Sequence, residues 1–94
     1  MTGFEIQHDR GAHRFFTVVD GKEAYLAYAV ADDGTLDFRH TFVPPELRGR
    51  ELARLLVAAA FAYAQEGGFK VIPTCSYVAK QAQRNDAYRT LIAE

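Results

Sequence analysis

Two side chains in this chain of 94 residues could take part in proton or acyl chemistry: His40, in "RHTFVPP", and Cys75, the single cysteine, in "VIPTCSYV". Histidine exchanges protons near neutral pH, and a thiolate is a strong nucleophile wherever something lowers the thiol's pKa. Between them lies "ELRGRELA", in which Arg48, Gly49 and Arg50 precede a long apolar stretch. If that stretch is a helix, its first amides are free and its dipole end is positive, which suits an anion. Gly49 lets backbone approach a ligand closely, and the arginines add charge. Each feature also has a plainer reading. The loop can be a charged helix start on the surface, Cys75 a small buried hydrophobe and His40 a satisfied strand residue.

The elements around them follow from pattern. Segments rich in Val, Phe, Tyr and Thr are punctuated by Arg10-Gly11, Asp20-Gly21 and Asp33-Gly34. Such pairs supply tight hairpins, so four successive antiparallel strands are expected near residues 4–8, 13–19, 23–31 and 36–43. In the fourth, Leu36, Phe38, His40 and Phe42 share the more apolar face by the period-two rule. Pro44-Pro45 has no amide proton to donate and ends the strand. Leu52, Leu55, Leu56, Ala59, Ala60 and Tyr63 recur as one stripe of a helix over about residues 50–66, with Gly67-Gly68 as its cap. Residues 69–73, "FKVIP", form a short strand, and reaching it through a helix sets it parallel to the fourth. A second helix over residues 76–84, capped by Thr74 or Ser76, and a turn or helix around Tyr88 complete a mixed α+β domain. In this βαβ unit His40 and Cys75 both stand at the carboxyl ends of their strands, the usual edge for a ligand.

Composition limits the function. Residues 1–94 suffice for one compact domain, and 49% apolar with 24% charged residues is ordinary globular composition. A formal net charge of -1 gives no global field for nucleic acid or an acidic membrane. The longest apolar run, residues 55–64, is about half the ~20 residues a membrane span needs. A lone cysteine and no signal-like start lead us to expect a cytoplasmic protein. His8 and His13 bracket a hairpin without ligand spacing, so no metal is expected. Tyr77, Lys80, Arg84 and Tyr88 are read as solvated or packing residues, and Asn85 as a turn residue.

The segment from His40 to about Leu91 resembles the GNAT superfamily of acyl-CoA-dependent N-acyltransferases. Their cofactor loop, Arg/Gln-x-x-Gly-x-Gly/Ala, corresponds here to Arg48-Gly49-Arg50-Glu51-Leu52-Ala53. "HTFVPPELRG" together with "PTCSYV" is similar to a subfamily of very small single-domain GNAT-like proteins with a strand-end histidine and a cysteine after the next strand. The resemblance implies that acetyl-CoA is the cosubstrate, held by residues 48–53 with Thr41 and Val43 at the end of the fourth strand. It implies an amine acceptor of unknown identity, free or on a protein, with His40 as general base toward the amine or toward Cys75. Cys75 would be the nucleophile or the proton donor to the departing thiolate. The alternative it allows is a CoA-binding or protein-interaction module with little or no turnover. Glu51 departs from the loop pattern, standing where the first glycine is usual, and a carboxylate there opposes a pyrophosphate. It also stands in what should be the first helical turn, where Glu51→Gly is expected to cost up to ~1 kcal/mol of helix stability.

Overall fold

A computed structural model describes residues 5–93 of the chain. Strands β1 (Gln7–Asp9), β2 (Arg14–Val19), β3 (Lys22–Val30) and β4 (Leu36–Phe42) are followed by a 3-10 turn (Pro45–Leu47). Helix α1 (Leu52–Gly67), β5 (Val71–Ile72), α2 (Ser76–Gln83) and a one-turn α3 (Asp86–Arg89) complete the order. The five strands lie side by side in sequence order. The first four are antiparallel and β5 runs parallel to β4 through Leu36↔Val71 and Asp37↔Ile72. This is the expected mixed sheet. The expected start of the first strand at Phe4 lies outside the described residues.

The hairpins form where turn chemistry places them. Asp20 and Gly21 both take positive φ, 53° and 76°, which is the two-residue connection whose twist matches its flanking strands. The β3–β4 turn is closed by Asp33, whose carboxylate accepts the Thr35 amide at 2.9 Å.

Both long helices cover one face of the sheet, and α1 packs across β2, β3 and β4. Leu26, Phe38, Leu56, Phe61, Val71 and Val78 lie in one shared core, each no more than 1% exposed. On the opposite face, Phe16, Tyr25, Ala27 and Ala29 are half-buried and Val18 is exposed. The buried stripe of α1 is rotated from the expected one. Leu52, Leu56 and Ala60 are buried as expected, but Val57, Phe61 and Ala64 join them, while Leu55, Ala59 and Tyr63 sit at the margin. Residues 55–64 are apolar throughout, so the period was legible and its phase was not.

Candidate functional site

β4 carries an irregularity that decides which residues meet. Tyr28 pairs with Phe38 and Ala27 with His40, so Arg39 is an extra residue on β4, a β-bulge. Past a bulge the alternation inverts. Leu36 and Phe38 face the helices, whereas farther along Thr41 lies opposite the buried Leu26, and Phe42 lies opposite Tyr25 on the outer face. The expectation that His40 shares a face with Leu36 and Phe38 is therefore corrected. His40 is exposed on the outer face, its ring 6.0 Å from that of Tyr25, with Phe42 beside the same tyrosine at 5.8 Å.

Cys75 takes its place on the inner side. Pairing of β4 with β5 stops at Asp37↔Ile72, and the chain then turns so that the Cys75 amide donates to the Phe38 carbonyl at 2.9 Å. The preceding Thr74 hydroxyl donates to the Asp37 carboxylate. With extended backbone angles, Cys75 itself is the N-cap of α2, where Thr74 or Ser76 was expected. Its half-buried Sγ lies 3.5 Å from the Thr41 hydroxyl. Burial pushes the thiol up, but the Thr41 hydroxyl and the amides of Val78, Tyr77 and Thr41 together outweigh it and leave it below its ordinary value. The site thus brings Cys75 to Thr41 and sets His40 on the other side of the same strand.

The basic loop folds over the carboxyl end of β4. Leu47 is 1% exposed and anchors the 3-10 turn in the core. Arg48 donates from Nε to the Val43 carbonyl at 3.0 Å. Gly49 has φ 85°, with open space where a Cβ would stand. Arg50 lies 3.7 Å from Asp20, near enough for a loose, exposed ion pair. Glu51 is not in the first helical turn as expected. It is the N-cap of α1 with φ 64°, a left-handed conformation that a glycine adopts without cost, and it makes no side-chain cap bond. Its carboxylate pairs instead with Arg54, one turn into the helix. The first amides of α1 therefore lack a side-chain cap.

Beside this loop is an open cleft of about 320 Å³, lined among others by Val43, Arg48, Gly49, Ala53, Arg54 and Tyr77. Of the residues assigned to the cofactor from sequence, Val43, Arg48, Gly49, Glu51, Leu52 and Ala53 line it, whereas Thr41 and Arg50 do not. Arg54 was missed, and Tyr77, expected to be a solvated or packing residue, also lines the cleft. Arg54 stands one turn after the cap, where the helical repeat brings a side chain back to the loop, and that spacing was readable. Tyr77 depends on how α2 packs. Burial pushes its hydroxyl up, with Arg54 nearby opposing the shift. Asn85 caps α3, accepting the Tyr88 amide at 3.2 Å.

The sequence profile of the GCN5-related N-acetyl-transferase family matches residues 14–91. Protein NATD1 of Danio rerio is 34% identical over 86 residues, spanning 89% of this chain and 78% of that protein. The chain belongs to the GCN5-related N-acetyltransferase family. Human protein NATD1 is 33% identical over 82 residues, spanning 85% of this chain and 73% of its own length. A GCN5-like protein of Staphylococcus aureus, solved by NMR in solution, superposes with a TM-score of 0.75 at 25% identity, covering 99% of this chain and 91% of that one. The span matching the GCN5-related family contains the bulge, Cys75 and the residues that line the cleft, though neither Arg39 nor Cys75 is among that lining. Among the described residues no group of three His, Cys, Asp or Glu could hold a metal ion, and no helix is long and apolar enough to cross a membrane.

Proposed function

We propose that this chain binds acetyl-CoA in the cleft beside residues 48–54 and transfers the acetyl group to an amine carried on a protein. The carrying observation is the cleft itself, which joins the end of β4 at Val43 to the uncapped start of α1. The residues present fit the ligand. Open space at Gly49, free helix amides and the guanidinium groups of Arg48 and Arg54 suit a pyrophosphate. The one opposing charge, Glu51, is engaged with Arg54. When bound, acetyl-CoA supplies an acyl thioester.

The chain's own residues then have distinct tasks. His40, exposed on the outer face, is placed to take a proton from an amine arriving on that side. Two roles are open to Cys75: nucleophile, or donor of the proton that the leaving thiolate needs. Cys75→Ala abolishes turnover in the first role and only slows it in the second. A protein-borne acceptor is favoured because, among the described residues, the outer face carries no helix and the first two strands are joined only by a turn over residues 10–13.

Calorimetric titration with acetyl-CoA tests the reading. Wild type should bind, and Arg48→Glu should weaken binding by about tenfold or more, because it replaces a charge-assisted phosphate contact by repulsion. Its melting temperature should stay within a few degrees of wild type, since Arg48 is exposed. Equal affinities for the two proteins would remove the cleft from consideration. Binding without turnover would favour the second reading, a CoA-binding module, for which Glu51 in the loop is the specific support.

A further inference from the structure

We infer that Thr41 is the residue that positions the Cys75 thiol, and that His40 acts independently of that thiol from the opposite face of β4. The extra residue at Arg39 makes the division. It turns Thr41 inward, opposite the buried Leu26, and leaves its neighbour His40 exposed outside. Cys75 is fixed on the inner side twice, by its amide on the Phe38 carbonyl at 2.9 Å and by Sγ at 3.5 Å from the Thr41 hydroxyl. A hydroxyl there holds the sulfur in one rotamer as a thiol, and donates to it once the proton has gone.

The titratable and charged groups on the surrounding elements are Tyr77 and Lys80 on α2, Asp37, Arg39 and His40 on β4, Arg54, Tyr63 and Glu66 on α1, and Asp86, Tyr88 and Arg89 on α3. None of their charges is among the influences on the thiol, which are burial, the Thr41 hydroxyl and backbone amides. Asp37 is occupied by Thr74 and Arg39, and Arg54 by Glu51. The thiol is thus tuned by neutral donors, chiefly one side chain. A histidine–cysteine pair, the simplest reading of the sequence, is replaced by a threonine–cysteine pair inside and an exposed imidazole outside.

The inference deepens the proposed acetyl transfer, on which it rests for what the thiol is used for, but its test needs no acetyl-CoA. The rate of alkylation by iodoacetamide would be measured against pH for wild type, Thr41→Val, Thr41→Ser and His40→Ala, each checked by thermal melting. Thr41→Val should slow labelling at neutral pH by about three- to tenfold and move the rate curve to higher pH, the loss of one hydrogen bond to a charged sulfur. Thr41→Ser should restore both, and His40→Ala should superimpose on wild type. If valine unfolds the domain, Thr41→Ala reads the same loss. A hydroxyl-free variant that labels like wild type, or a His40→Ala curve displaced as far as that of Thr41→Val, would overturn the inference. Failure of acetyl-CoA to bind would leave these rates as they are, so the two readings fail in different measurements.

Discussion

The two ends of α1 are held together by different means. At its C-terminal end Tyr63 meets the edge of His8 at 4.5 Å, His8 stacks on Phe15 at 4.0 Å, and its Nε2 lies 2.6 Å from the Tyr28 hydroxyl. Arg10 covers the Tyr63 ring at 5.5 Å. At the N-terminal end, the residues of the loop reach solvent and are joined by exposed pairs, Glu51 with Arg54 and Arg50 with Asp20. Aromatic pairs of the first kind contribute about 0.5–1.5 kcal/mol each, whereas exposed ion pairs contribute about 0–1 kcal/mol. One end is architecture. The other has partners weak enough to be exchanged for a ligand, which is what a binding loop requires. Of His8, inside the aromatic cluster, and His40, exposed on the outer face of β4, the one with more contacts is not the one proposed for chemistry.

Removing the histidine proposed for chemistry should give the largest effect. His40→Ala should lower acetyl transfer by about 10²- to 10⁴-fold if the imidazole is the general base, with the melting temperature unchanged. Steady-state rates beside a thermal melt decide it. Equal rates would make His40 a surface residue. His8→Ala should do the reverse. It removes the stacked ring and orphans the hydroxyl of Tyr28, a residue only 6% exposed, at a cost of about 1–2 kcal/mol. That is several degrees of melting temperature for a domain this small, with acetyl transfer intact at temperatures where the variant is folded.

The same comparison has a pH signature. Burial pushes the His8 imidazole below its ordinary 6.5, with Arg10 adding to the effect and Asp9 opposing it. Above that value neither the folded nor the unfolded chain protonates His8, and its contribution to stability is whole. As pH falls below 6.5 the unfolded chain takes up the proton first, so stability is lost until the folded group titrates as well. Melting of wild type and His8→Phe between about pH 7.5 and 5 should therefore show the wild type losing more. Parallel curves would mean that His8 is as free in the folded chain as in the unfolded one.

How much of this was legible in the sequence depends on what each feature needs. Strand order, the crossover and the αL cap at Gly68 follow from local turn chemistry and periodicity, and each was expected where it is found. The loop residues lining the cleft were also legible, because a helix start and its charges are adjacent in sequence. The facing of His40 was not. Period two assumes an uninterrupted strand, and nothing in "DFRHTF" marks Arg39 as the residue that β3 leaves unpaired. The companion of Cys75 was hidden for the same reason, since the bulge exchanges His40 for Thr41 on the inner face. His8 and His13 were weighed only as ligands. Their ring contacts at the far end of α1 depend on Tyr28 and Tyr63, which are remote in sequence.

The smallest expected effect lies in Glu51, and there the structure cancels the loss of stability expected from sequence. In a helix interior glycine costs up to ~1 kcal/mol, but Glu51 is a cap at φ 64°, where a residue with a Cβ is the strained one by about 1 kcal/mol. Against that relief stand the Arg54 pair, worth about 0.3–0.5 kcal/mol, and the added freedom of glycine in the unfolded chain, about 0.4–1 kcal/mol. Glu51→Gly should therefore melt close to wild type. Its release of Arg54 and loss of a carboxylate should tighten acetyl-CoA binding by roughly two- to fivefold at low salt, and by less at high salt. Glu51→Gln separates the two causes, because it removes the charge and keeps the strained backbone. It should gain affinity as glycine does. Unchanged affinity in both variants would mean that the exposed pair at this end of α1 does not compete with the phosphate, and that the loop is as settled in its own contacts as the aromatic end.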